Sequence, residues 1–249
     1  MGAKTLRVLA FDTATRATSV ALALSDLEPP LQARDDPPRG ERPRHTTRLL
    51  PLIAGVLDQA DLSFGQVDRI AVGVGPGTFT GLRIGIATAR GLAQARSIPL
   101  VGVPTLHSMA LGAENFLAET RDIDSIAAAI DARRGEVFVA AWSAQRLHSA
   151  PALAARAVNP DLFEALLSSH GMDPERALAI GDGAVAFRSV VERSGALVPG
   201  NDSGLHRVSA VNHCRLALSL SPREPDAIHP LYLRPPDAKP ATQFLAFAP

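Results

Sequence analysis

The sequence predicts an α/β fold of two related subdomains, and three stretches carry that prediction. Leu6 to Phe11 and Thr18 to Leu24 are apolar runs joined by a short polar turn, the pattern of a buried hairpin. Ile70 to Val74 is another buried-strand run; it ends in Gly75-Pro76-Gly77, the strongest breaker in the chain, and passes into helical spacing as far as about Arg96. Ser125 to Trp142 then repeats strand, turn and strand about 120 residues after the first hairpin, which makes the second half a relative of the first.

The first hairpin turns at Asp12 to Ala17. A strand ending in Asp and followed by small hydroxyl residues resembles the arrangement that actin-like ATPases place around a nucleotide phosphate and its metal, so Asp12 and Thr13 are candidate nucleotide contacts. The competing reading is that both satisfy turn backbone groups. The Gly that normally follows the Asp in that superfamily is replaced here by Thr13-Ala14.

Ser25 to Arg44 holds five prolines among charged residues, which predicts a loop with at most one edge strand. His45 to Asp61 is an amphipathic helix with Leu49, Leu52, Ile53, Val56, Leu57 and Ala60 on one stripe, and Pro51 must sit in its first turns or kink it. His45 lacks a second His at a ligand spacing, so a capping or interface contact suits it better than a metal.

The helix after Gly77 begins with Thr78 or Thr80 as N-cap and stops before Pro99. The glycines ahead of it allow a phosphate cradle or a plain tight turn. Neither G-x-G-x-x-G nor the P-loop Gly-Lys-Ser/Thr is completed. Gly81, Gly85, Thr88 and Leu92 share one face of this helix, Leu82, Ile86, Ala89 and Ala93 the next, and only Arg83, Arg90 and Gln94 form a polar stripe. That is little polar surface for a helix lying on one side of a sheet. Gly77, Gly81 and Gly85 therefore read as clearance for another helix, either within the chain or from another subunit.

Pro99 to Val103 is a strand, Pro104 to about Glu119 a helix, and Pro160 to Ser169 a short helix. Ala177 to Ala184 is a strand running into Gly181-Asp182-Gly183, where Gly181 and Gly183 are weak candidates for a second phosphate contact. Val208 to Ser219 is helical, with His206 and His213 too far apart for a metal pair. Leu231 to Arg234 is expected to be an ordered anchor and 235–249 a mobile tail.

Composition narrows the function classes. Lys+Arg and Asp+Glu both number 25, so a face that grips RNA unaided is not expected, and any nucleic-acid role needs a partner. The single cysteine, Cys214, excludes an internal disulfide and any multi-cysteine metal site. The N-terminus shows neither a secretory apolar region nor a membrane-length run, and Leu6 breaks the myristoylation pattern; the expected location is the cytoplasm, with no membrane partner.

Five segments, in order, resemble the bacterial TsaB (YeaZ) family: Leu9 to Thr15, Arg44 to Pro51, Gly75 to Gly85, Ile130 to Val137 and Pro230 to Arg234. The blocks Gly-Pro-Gly-Thr-Phe-Thr-Gly-Leu-Arg and Ile-Asp-Ala-Arg-Arg-Gly-Glu are highly specific together. The resemblance implies an actin-like (ASKHA, ribonuclease H-like) fold, with an N-terminal subdomain at 1–105 that carries the partner-binding helices and a C-terminal subdomain at 106–234. It implies a non-catalytic paralogue of the transferase TsaD in threonylcarbamoyladenosine modification of tRNA next to the anticodon. The expected partners are TsaD, TsaE in a larger assembly, and a second copy when the chain is alone; tRNA is reached only through the complex. No cofactor is required by this chain, and ATP or ADP is admitted in the complex. The implied partner surface comprises His45, Leu49, Leu52, Ile53, Val56 and Leu57 with Gly81, Leu82, Gly85, Ile86, Ala89, Leu92 and Ala93.

TsaD-like enzymes carry a helical His-x-x-x-His for metal, and no two of the seven His here are four apart. Two other readings stay open: an autonomous ATP-dependent ASKHA transferase or kinase, and a metallopeptidase. The scaffold reading expects Gly85→Arg or Leu82→Asp to abolish association with TsaD and leave the fold intact.

Overall fold

A computed structural model describes residues 6–24, 27–38, 40–120 and 122–234; the expected mobile tail, 235–249, lies outside the described residues. Strand β1 (Arg7–Asp12) pairs antiparallel with β2 (Thr18–Leu24), which pairs antiparallel with β3 (Leu27–Asp35). Helix α1 (His45–Gln59) leads to β4 (Arg69–Gly75), parallel to β1, and α2 (Phe79–Arg96) leads to β5 (Leu100–Pro104), parallel to β4. Then come α3 (Thr105–Leu111) and α4 (Glu114–Glu119), two helices where the sequence suggested one, broken at Gly112-Ala113.

The second unit repeats the plan. Strand β6 (Ser125–Arg133) pairs antiparallel with β7 (Glu136–Ser143), β7 with β8 (Leu153–Val158), and β6 runs parallel to β9 (Ala177–Ile180). Helix α5 (Phe163–Ser168) precedes β9, and α6 (Asp182–Ala186), α7 (Arg188–Arg193) and α8 (Ala210–Ser219) follow it. The strand orders β3-β2-β1-β4-β5 and β8-β7-β6-β9 thus share one four-strand pattern.

Side-chain alternation shows how the layers stack. Leu9 and Phe11 of β1 point into a core beneath α1 and α2, whereas Val8 and Ala10 point into a central core with α3 and α8. In β6, Ile126, Ala128 and Ile130 enter the same central core, and Ala127 and Ala129 face a third core with α5, α6 and α7. Each sheet is therefore covered on both faces, which explains why these strands read as unbroken apolar runs.

Residues 27–35 form the one edge strand that the sequence allowed in this stretch, in spite of Pro29 and Pro30, because an edge position tolerates a missing N–H. The cut at residue 105 does not divide the molecule cleanly. Helix α8 returns to the first sheet, with Cys214 Sγ 3.4 Å from Val8 O and Ala210 N–H donating to Ser19 Oγ, and beyond it Ile228 joins the core that α1 and α2 cover.

Helix α1 contains Pro51 in its interior, at a cost of about 3 kcal/mol. Its inward Leu49, Ile53, Val56 and Leu57 are each worth roughly 1.5–3 kcal/mol on burial, so packing outweighs the proline.

Candidate functional site

Asp12 closes β1 and is 1% exposed. Its Oδ1 accepts from Ala14 N–H at 2.7 Å; its Oδ2 accepts from the Thr105 hydroxyl at 2.8 Å and lies 3.0 Å from His213 Nε2. Thr105 also accepts from Gly75 N–H, and His213 Nδ1 meets the Ser108 hydroxyl at 2.8 Å. Gly73 makes room for this cluster: a Cβ there would fall 1.8 Å from Asp12 Oδ2. Burial alone would push the Asp12 carboxyl up, but the hydrogen bond and charge of His213, with Ala14 and Thr105, hold it below its ordinary 3.8.

This arrangement engages both nucleotide candidates, Asp12 and Thr13, within the chain. Both are buried, and the Thr13 hydroxyl donates to Gly81 O at 2.8 Å. Both Asp12 oxygens already accept hydrogen bonds inside the chain, a packing role rather than an open ligand position. Among the described residues no three His, Cys, Asp or Glu are grouped to hold a metal ion.

The glycines at the end of β9 are likewise taken up by packing. Gly181 sits at φ +100°, its N–H donates to His206 Nδ1, and a Cβ there would lie 2.0 Å from Ala129 O. A Cβ on Gly183 would lie 2.8 Å from Ile130 C. Both glycines let this turn rest on β6. Asp182, between them, accepts from Asp131 N–H at 3.0 Å, and burial, reinforced by the neighbouring Asp131 charge, pushes its carboxyl up to about 6 against an opposing pull from Arg133.

The residues expected to form the partner surface on α1 and α2 lie largely inside the chain. His45, Leu49, Ile53, Val56, Leu57, Gly81, Leu82, Gly85, Ile86, Ala89 and Ala93 are all buried within the chain, and Leu52 and Leu92 are half-buried. His45 Nδ1 meets Thr18 Oγ1 at 2.9 Å, and burial holds its imidazole pKa down. Gly77, Gly81 and Gly85 clear the chain's own first turn: added Cβ atoms would lie 2.3 Å from Ala14 O, 2.0 Å from Thr13 O and 2.4 Å from Thr13 Oγ1. The apolar helix is explained from within, by a sheet on one side and the 12–15 backbone on another.

What these helices turn outward is a different set. On α1, Leu50 is 54% exposed, with Pro51 and Ala54 also exposed. On α2, Thr80, Ala87, Gly91 and Ala95 are exposed and Ile84 and Thr88 half-buried, a face with little charge. Sequence periodicity distinguishes the two faces of each helix but not which one meets the sheet when both are apolar.

Two related sheets, separated by a helical layer and flanked by further helices, define an α/β protein of the actin-like class. The family model described as TsaD, tRNA N6-adenosine threonylcarbamoyltransferase, matches residues 37–180. The Escherichia coli tRNA threonylcarbamoyladenosine biosynthesis protein TsaB is 41% identical over 140 residues, 55% of this chain and 55% of that protein. An uncharacterized protein of Mycobacterium tuberculosis is 32% identical over 238 residues, 94% of each. A Pseudomonas aeruginosa crystal structure, described as an uncharacterized protein with similarity to peptidase YEAZ, superposes with a TM-score of 0.73 at 30% identity, covering 92% of this chain and 100% of that one. The chain belongs to the TsaB/YeaZ family. It spans about half the length of the curated TsaB relatives it matches. Among the described residues no helix is long and apolar enough to cross a membrane.

Proposed function

We propose that this chain is a non-catalytic partner subunit that binds and supports a TsaD-type transferase in threonylcarbamoyladenosine modification of tRNA adenosine next to the anticodon. It works in the cytoplasm, pairs with itself when alone, joins TsaE in a larger assembly, and reaches tRNA only through the complex. It requires no cofactor of its own, and ATP or ADP enters with the partner.

The observation that carries the reading is the closure of Asp12. The group that would face a nucleotide in an active actin-like enzyme is buried here under Thr105 and His213. Meanwhile α1 and α2 present exposed Leu50, Ala54, Ala87 and Gly91. A chain with a sealed centre and a weakly charged helical face is suited to docking. The names of its curated relatives support the same pathway.

Co-expression with TsaD from the same organism, followed by sizing of the purified material, tests the proposal. A stable complex is expected, together with no heat of binding when millimolar ATP is titrated into the isolated chain. Nucleotide turnover by the isolated chain, or failure to associate with TsaD, would overturn it.

A further inference from the structure

Residues 225–234 cross from the first sheet's layer to the second. The Ile228 side chain is buried beneath α1 and α2, and its carbonyl accepts from Arg90 Nη2 at 2.7 Å. Leu231 N–H donates to Val74 O at 2.7 Å, at the exit of β4. Tyr232 stacks on Phe79 with ring centroids 5.2 Å apart, and Arg83 donates to its hydroxyl while its guanidinium lies over the Phe79 ring. These attachments all fasten the segment to the first unit.

Arg234 then reaches the other unit. Its Nη1 donates to Glu136 Oε2 at 2.6 Å and its Nη2 to Ala132 O, on the two sides of the β6–β7 turn. Leu233 packs beside it against the central core. Beneath lies a cavity of about 220 Å³, with Gly77 and Thr78 on one wall, Asp131 and Arg133 on the other, and Tyr232 and Arg234 at its edge.

The two units are joined at the central layer by α3, α8 and their shared core, which is close-packed and resists deformation. At the mouth of the cavity the tie is the segment itself. The turn it holds is strained, because Arg133 and Arg134 stand at φ +63° and +58° ahead of Gly135. A planar guanidinium that grips a carboxylate and a carbonyl together fixes both distance and orientation, which a single ammonium does not.

We propose that residues 225–234 are a clasp that sets the opening between the two units, with Arg234 as its catch and positioning residue. The clasp runs along α2, so the helix with the exposed small-residue face is mechanically tied to the β6–β7 turn.

The test is a distance measurement on the full chain. Spin labels are placed by Gln94→Cys on α2 and Glu164→Cys on α5, both exposed; Cys214 is buried and stays unlabelled. Dilution with unlabelled chain removes contributions from pairs of copies. Arg234→Ala is expected to lengthen and broaden the distance distribution, Arg234→Lys to do so partially, and Glu136→Gln least. Amides of the 132–136 turn should exchange about tenfold faster in Arg234→Ala, while those of β1 and β6 keep their protection. Should Arg234→Ala fail to fold, Arg234→Lys and Glu136→Gln are read in the same way. Distributions and turn exchange that superimpose on the wild type in the folded variants would overturn the clasp.

Discussion

Asp12 and His213 are 201 positions apart in sequence and 3.0 Å apart in space, and both are buried. The contact fastens α8, arriving from the far end of the chain, to the end of the first strand. Removing the partner of a buried carboxylate leaves it less well compensated, and breaking a buried pair in this way costs up to about 3–5 kcal/mol. Ala14 and Thr105 still hold the Asp12 carboxylate, so His213→Ala should lie near the lower figure. Urea unfolding followed by circular dichroism measures it. A loss below about 1 kcal/mol would show that the network carries little of the fold's stability.

Stability should depend on pH with two limbs of opposite sign. The Asp12 pKa is lowered in the folded chain, so its contribution is complete above the unfolded value of 3.8 and is lost as pH falls through the folded value. Asp182 is raised to about 6, so the folded state takes up its proton first and stability is regained as pH falls from about 6 towards 3.8. Its Oδ1 accepts from Asp131 N–H, a role an amide oxygen can fill. Asp182→Asn should therefore stabilise the chain at pH 7, by roughly 1–3 kcal/mol, and flatten the profile between pH 4 and 6. Asp12→Asn should flatten only the limb below pH 4. Thermal melts across pH 3 to 8 separate the two, and an unchanged profile in Asp182→Asn would refute the assignment.

Much of this architecture was legible in the sequence, for reasons that particular residues show. Gly75-Pro76-Gly77 marks the end of β4 because few other residues could make that turn, and Thr78 stands at the N-cap position of the helix without a side-chain capping hydrogen bond. The recurrence of the hairpin at Ser125 to Trp142 is visible because both copies are apolar on two faces. Strand β8 went unread: Leu153-Ala-Ala-Arg-Ala-Val158 is half-exposed and has no strong β-forming run. The partner of Asp12 was out of reach too. His213 could be judged against other histidines by spacing, but a contact across 201 positions leaves no local trace. The glycines of α2 announced a close approach, and nothing in their spacing said that the neighbour was the chain's own turn.

Those glycines yield a paired prediction. A Cβ on Gly81 would lie 2.0 Å from Thr13 O, a backbone atom that cannot swing aside, whereas one on Gly91 meets nothing within 4 Å. Both positions are in the interior of the same helix, where Ala is favoured over Gly by about 1 kcal/mol. Gly91→Ala should therefore raise stability by up to that amount, and Gly81→Ala should lower it by about 1–3 kcal/mol because the overpacked turn must shift. Denaturation midpoints decide the matter, and a stabilised Gly81→Ala would mean that α2 does not press on the first turn as closely as these distances require.

The docking surface is best tested by contrasting inward with outward residues. Leu82 is fully buried, and a Cβ on Gly85 would already lie 2.4 Å from Thr13 Oγ1, so Leu82→Asp and Gly85→Arg should unfold the chain and say nothing about partners. Leu50 and Ala87 are exposed, so Leu50→Asp and Ala87→Arg should leave the circular dichroism spectrum and melting temperature close to the wild type. A charge buried without a partner at an interface core costs several kcal/mol, enough to reduce association with TsaD at least about a hundredfold. Co-purification and titration calorimetry read that loss. If both folded variants still bind TsaD with wild-type affinity, the outward faces of α1 and α2 are not where the partner sits.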